Sequence, residues 1–229
     1  MIPPDGEMQP GELTVVHRND AGCRPYIDYS KGWGGRWHFN HEYQAAMNPP
    51  VIFLTREEKD WALEAIEAAS VPIPFVTIEP NIRPKPRPNK QWKISRYWEV
   101  ADRLQRHHNI AVVQMGPNDG MQNLAGVIRI ITPSFRLACA ILHYSFAHIG
   151  PEGGLAHATV AVDTPGAIIF GGNVHPDLMG YPMNRNLFIQ HEESPCGWHN
   201  ECDHCRQCLD AITVGDVVEA TLGLVRPDK

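Results

Sequence analysis

Apolar residues in this chain fall into two alternating patterns: short unbroken runs, and longer stretches with apolar positions three or four residues apart. The runs Leu13-Thr-Val-Val16, Val51-Ile-Phe-Leu54, Phe75-Val-Thr-Ile78 and Ile110-Ala-Val-Val113 predict buried strands. The spaced sets predict helices. Thr55 and Glu58 stand at capping-box spacing ahead of Trp61, Ala65 and Ala68, and that helix ends at Val71-Pro-Ile-Pro74. Ser95 is expected to cap a helix lined by Tyr97, Val100, Ala101 and Leu104. Ser134 is expected to cap another, with Leu137, Ala138, Ile141 and Leu142 facing inward. Thr213 and Asp216 repeat the capping-box spacing at the start of a last helix.

The most informative stretch begins at Phe146-Ala-His-Ile-Gly-Pro-Glu-Gly-Gly-Leu-Ala-His157 and runs to Ile168-Ile-Phe-Gly-Gly172. It reads as a buried strand, a glycine turn, a helix, a stop at Pro165, and a second buried strand that ends in two glycines. A glycine pair opening a helix leaves backbone N–H groups aimed outward at the positive end of the helix dipole, which favours phosphate or another anion. An ordinary strand–helix–strand crossover, with glycines serving only tight packing, has the same pattern. Alternating strands and helices with right-handed crossovers predict an α/β fold with a parallel, doubly wound sheet. Ligands bind such sheets where strands end, which places Gly116, Gly150 to Gly154, and Gly171 with Gly172 along one rim.

Composition narrows the classes. A chain of 229 residues, 43% hydrophobic, can bury a real core, and its net charge of -6 argues against broad nucleic-acid binding. The start, Met1-Ile-Pro-Pro-Asp-Gly-Glu, lacks the features of a signal peptide, and no apolar run approaches the ~20 residues that span a bilayer. A soluble cytoplasmic protein is expected. The chain divides into a short segment, residues 1–71, and a main domain, residues 72–229, with a Cys-rich loop at 194–210. The stiff stretch from Pro80 to Pro88 serves as a hinge or a surface loop.

Lys90, at a helix entrance near the rim, can supply a point charge to a diphosphate; alone, it reads more simply as a solvated loop lysine. Taken with its neighbours it carries more. Lys90-Gln-Trp92 ahead of a helix, Val112-Val-Gln-Met-Gly116, Glu152-Gly-Gly-Leu-Ala-His157, Pro165, Ile169-Phe-Gly-Gly172 and Ser194-Pro-Cys196 together resemble glycosyltransferase family nine. This family includes the ADP-heptose:lipopolysaccharide heptosyltransferases. The resemblance covers roughly residues 72–229 and implies a Rossmann-like, nucleotide-sugar-binding half of a GT-B-type glycosyltransferase. It further implies that Lys90 contacts the donor phosphates and that Gly153 and Gly154 present amides to the diphosphate. Glu152 and His157 would hold the sugar or orient the loop. Gly116 would leave room for the nucleoside, with Gly171 and Gly172 completing the rim.

About 70 residues precede this half, so the amino-terminal part reads as shortened, with Asp20 at the end of its first strand, or else Asp28, as the substitute for a catalytic base. Asp20 and Glu152 are the acidic candidates for catalysis, and Trp33, Trp37 and Tyr43 either form an acceptor platform or belong to the core. The implied activity is sugar transfer from a nucleotide-diphosphate donor, with ADP-heptose suggested by the family, to an unidentified acceptor. A noncatalytic nucleotide-sugar-binding or assembly subunit and an epimerase-type enzyme are the alternatives. No metal is expected to be required for catalysis. Cys196, Cys202, Cys205 and Cys208 are close enough in sequence to share one structural zinc or iron, with His199 or His204 able to replace one of them. Reduced thiols on a terminal loop are the rival reading. Cys139 is expected in the core, Cys23 stands alone, and the sequence leaves the oligomeric state open, with self-association one option.

Overall fold

In the computed structural model, which describes residues 44–80, 88–118, 123–198 and 201–224, strands and helices alternate along the chain. The strands are β1 (Phe75–Ile78), β2 (Ala111–Gly116), β3 (Ile128–Ile131), β4 (His148–Pro151), β5 (Gly166–Ile169) and β6 (Arg185–Leu187). The helices are α1 (Arg56–Ala68), α2 (Ile94–His108), α3 (Phe135–Tyr144), α4 (Gly154–Ala161), α5 (Pro176–Met179), α6 (Asp203–Ala211) and α7 (Val214–Leu222). All strand pairs are parallel, and the sheet order is β3-β2-β1-β4-β5-β6. The direction of growth reverses between β1 and β4. In open α/β sheets that reversal opens a crevice at the carboxyl ends of the strands.

Each face of the sheet is covered, as continuous apolar strands require. Val76, Ile78, Val112, Ile149 and Ala167 face α2 and α7, packing with Trp92, Tyr97, Leu104 and Val217. Phe75, Val113, Met115 and Ile130 face the other way, against Ala62 of α1 and Ile141 and Leu142 of α3. Cys139 lies wholly inside this second layer, where burial pushes its thiol up to about 12.

Local signals account for the starts of α1, α3 and α7. Thr55 accepts from Glu58 N–H while Glu58 accepts from Thr55 N–H, and Thr213 and Asp216 repeat the exchange. Ser134 accepts from Leu137 N–H. Ser95 does not cap: α2 begins one residue earlier at Ile94, behind Lys93, whose ammonium pairs with Asp210 at 2.7 Å.

Other expectations also change. Residues 51–54 keep the alternation of a strand, with Val51 and Phe53 exposed and Ile52 and Leu54 packed inward, but the neighbour of Ile52 N–H is Ala161 O at the end of α4. With a helix end as neighbour, no ladder forms. β3, which carries a mid-strand arginine, was not anticipated; it is an edge strand and leaves Ile131 exposed. The carboxyl part of the Cys-rich stretch is not a loop, because α6 begins at Asp203. Leu13-Thr-Val-Val16, Asp20, Cys23, Asp28, Trp33, Trp37, Tyr43 and His199 lie outside the described residues.

Candidate functional site

The crevice at the strand reversal is bridged by one ion pair. The Lys90 ammonium donates to the Glu152 carboxylate, and both residues are buried, at 8% and 2% exposure. Lys90 is thus not a solvated loop lysine. It ends the short 3-10 turn Pro88–Lys90 that leads from the β1 side into α2, while Glu152 directly follows β4. Glu152 N–H donates to Ile169 O of β5 and Glu79 N–H donates to Ile149 O of β4, which continues the ladders into the rim and fixes both loops.

Helix α4 opens at the same rim. Its N-cap is Gly153, which offers no side-chain cap, and Gly154 is exposed. The first-turn amides of this eight-residue helix have no side-chain cap from Gly153, and the helix starts at the carboxyl edge of β4. His157, in the second turn, bonds through Nδ1 to the Tyr181 hydroxyl at 2.6 Å and meets that ring edge-on. Gly116 ends β2 on the same sheet edge, with φ 153.

Gly171 and Gly172 have steric reasons to be glycine. A Cβ on Gly171 would lie 1.9 Å from Asn89 O, so the backbone of the Lys90 turn rests directly on this residue. A Cβ on Gly172 would lie 2.6 Å from His204 Nε2 and 3.0 Å from Cys208 Sγ. The glycine pair thus stands between the Lys90 turn on one side and the cysteine helix on the other.

That helix is clamped at its far end by the residues around Lys90. Trp92 Nε1 donates to Ile212 O at 3.1 Å, and Arg96 donates to Leu209 O, Asp210 O and Ile212 O at 3.3, 2.8 and 2.8 Å. These are the carbonyls that a helix leaves unpaired at its carboxyl end, where a guanidinium is favourable.

At its near end, Cys196, Cys202, His204 and Cys205 each offer a ligand atom, and all four atoms lie within 4.8 Å of one another, a grouping that could hold a metal ion. Three of the four cysteines expected from spacing are present in this group. The fourth position belongs to His204, while Cys208 lies beside it against Ser194. Burial pushes the thiols of Cys196, Cys205 and Cys208 up. All the described cysteines are free thiols.

Sequence reasoning did not mark Asn89, Arg96, Tyr181 or Trp198, nor His148. Asn89 had one available signal, its position immediately before Lys90. The others come together only through tertiary contacts.

The model of glycosyltransferase family 9 (heptosyltransferase) matches residues 38–207. Against the curated proteins the chain has no match. Among solved structures it is similar to E. coli ADP-heptose lps heptosyltransferase II, at 20% identity and TM-score 0.57, covering 77% of this chain and 53% of that one. A glycosyl transferase family 9 protein from Veillonella parvula aligns at 16% identity and TM-score 0.59, with the same coverage. The dodecameric iron-containing heptosyltransferase TibC, in complex with ADP-D-beta-D-heptose, aligns at 18% identity and TM-score 0.53, covering 68% of this chain and 47% of that one. The chain spans about half the length of these structures.

Proposed function

This chain belongs to glycosyltransferase family 9, and on that basis we propose that its rim seats the diphosphate of a nucleotide-sugar donor for transfer of the sugar to an acceptor. The observation that carries the reading is the Lys90–Glu152 pair at the strand reversal, with the uncapped start of α4 on the same edge. A fixed ammonium and a set of oriented amides are two devices that stabilise a diphosphate without a metal ion.

In the reaction the acceptor hydroxyl attacks the anomeric carbon and the bond from that carbon to the diphosphate oxygen breaks. The hydroxyl proton passes to a carboxylate base, for which Asp20 is the candidate the sequence offers. Negative charge grows on the departing diphosphate, so pre-oriented positive potential there lowers the barrier. Glu152 acts here as a positioning residue. Its carboxylate is already engaged by Lys90, which it holds over the crevice. His157 and Tyr181 form a hydrogen-bonded pair one turn into α4, placed to contact the sugar or steady the loop. Gly116 leaves space for the nucleoside.

Calorimetric titration with a panel of nucleotide sugars and nucleoside diphosphates tests the reading, which fails if the folded protein binds none of them. The alternative is a noncatalytic donor-binding subunit. Turnover of a bound donor by the isolated chain would exclude it.

A further inference from the structure

The cysteine helix and the Lys90 turn meet through a short chain of bonds. His204 Nε2 lies 3.2 Å from Gly172 O, and a carbonyl can only accept, so Nε2 carries the proton and Nδ1 presents its lone pair to the sulfurs. Fixing the tautomer through a backbone carbonyl is the usual support of a metal-ligating histidine. Cys196 N–H donates to the same Gly172 O at 3.1 Å. Cys196 Sγ accepts from Trp198 N–H at 3.5 Å, and Trp198 O accepts from Asn89 Nδ2 at 2.8 Å. Asn89 is the residue before Lys90, and its own carbonyl rests on Gly171.

The four donor atoms lie within 4.8 Å of one another, close enough to converge on one tetrahedral ion. Cys196 Sγ and Cys205 Sγ are 3.4 Å apart, and Cys205 Sγ is 3.9 Å from His204 Nδ1. With metal–sulfur bonds of about 2.3 Å, neighbouring sulfurs in a tetrahedron stand about 3.8 Å apart, whereas a disulfide would need about 2.05 Å. Cys202 Sγ lies 2.8 Å from His204 Nδ1, a hydrogen-bond distance, and the two separate to about 3.5 Å when they share an ion. The competing arrangement is an imidazolium that pairs with Glu193 Oε2, 3.9 Å from Nδ1, beside reduced thiols.

We propose that Cys196, Cys202, Cys205 and His204 Nδ1 bind one tetrahedral zinc or ferrous ion, and that this centre anchors the donor seat through Gly172, Trp198 and Asn89. The second half rests on the donor-seat reading above; the first does not. Sulfur and imidazole ligands select these ions over magnesium or calcium.

The test uses the full chain, purified without chelator, with metal analysis, cobalt substitution, and ADP and UDP titrations. About one equivalent of metal is expected, with a thiolate-to-cobalt charge-transfer band. Both should be lost in C202S and H204A and kept in C208S. Less than about one tenth of an equivalent, or retention in H204A with loss in C208S, overturns the ligand set. Asn89→Ala tests the coupling without touching a ligand. It is expected to keep the metal and the cobalt spectrum while binding the nucleoside diphosphate at least tenfold more weakly. Affinity within twofold of the parent overturns the coupling. If metal binds and neither diphosphate does in any variant, the donor-seat reading and the coupling both fall while the metal centre stands.

Discussion

Lys90 and Glu152 show how much burial changes the meaning of a charged side chain. Removing one member of a buried pair leaves the other desolvated, at a cost of about 3 to 5 kcal/mol, whereas removing both together can be far cheaper. Lys90→Met and Glu152→Gln are each expected to lower unfolding stability by about 3 kcal/mol, and the double variant by clearly less than the sum. Chemical denaturation of the four proteins checks this; additive losses would mean the pair is not coupled. All three variants should lose diphosphate binding, because the lysine is gone or unheld.

His148 makes a separate prediction. It is fully buried on β4, its Nδ1 lies 3.1 Å from Thr77 Oγ1, and Nε2 has no hydrogen-bond partner among the described residues. Burial pulls its pKa down from 6.5 to about 3. The unfolded chain therefore takes up a proton between those values that the folded chain refuses. Stability contributed by the neutral ring is present above pH 6.5 and is lost on acidification at up to about 1.4 kcal/mol per pH unit. Carboxylates titrate in the same range, so the check is the difference between the parent and His148→Gln from pH 7 to pH 4. The variant should lose less stability, and parallel curves would contradict the assignment. Neither burial was legible in the sequence: a lysine after a proline-rich stretch and a histidine in an apolar run look the same whether exposed or enclosed.

At the scale of elements, the sequence was most readable where a local rule suffices. The capping boxes at Thr55 and Thr213, the serine cap at Ser134, and the strands at Phe75 and Ile110 declare themselves within a few residues. It was least readable where a neighbour decides. Residues 51–54 have strand alternation but meet the end of α4, and α6 hides in a stretch whose cysteines draw attention to metal rather than to helical period. The carboxyl end of α6 is held by Arg96, a half-buried residue that no sequence rule marks. Arg96→Ala is expected to cost about 2 kcal/mol, within the range for hydrogen bonds from a charged donor. It should also speed amide exchange across α6 before the rest of the fold; uniform exchange would mean the helix is not separately held. Gly171→Ala forces Asn89 O to move from 1.9 Å, so it should shift the Lys90 turn and weaken diphosphate binding at least tenfold. Full affinity in a folded Gly171→Ala protein would show that the turn does not carry the site.

For the whole molecule, the alternation of strands and helices was enough to give a parallel sheet and to put the glycine loops on one edge. The sheet order, and with it the reversal between β1 and β4, could not be read from spacing because it depends on which strands pair across the fold. That reversal places the Lys90 turn opposite Glu152, so motifs far apart in the sequence meet on one sheet edge. No helix among the described residues is long and apolar enough to cross a membrane. The family fixes the architecture, while the donor, its sugar and the acceptor belong to the proposal. The most direct measurement is calorimetric titration of the folded chain with nucleoside diphosphates and their sugar conjugates. Saturable binding near one equivalent, lost in Lys90→Met and weakened in Gly171→Ala, is the expected result. Heats no larger than dilution for every ligand, with the fold intact, would contradict the claim that this rim is a diphosphate seat.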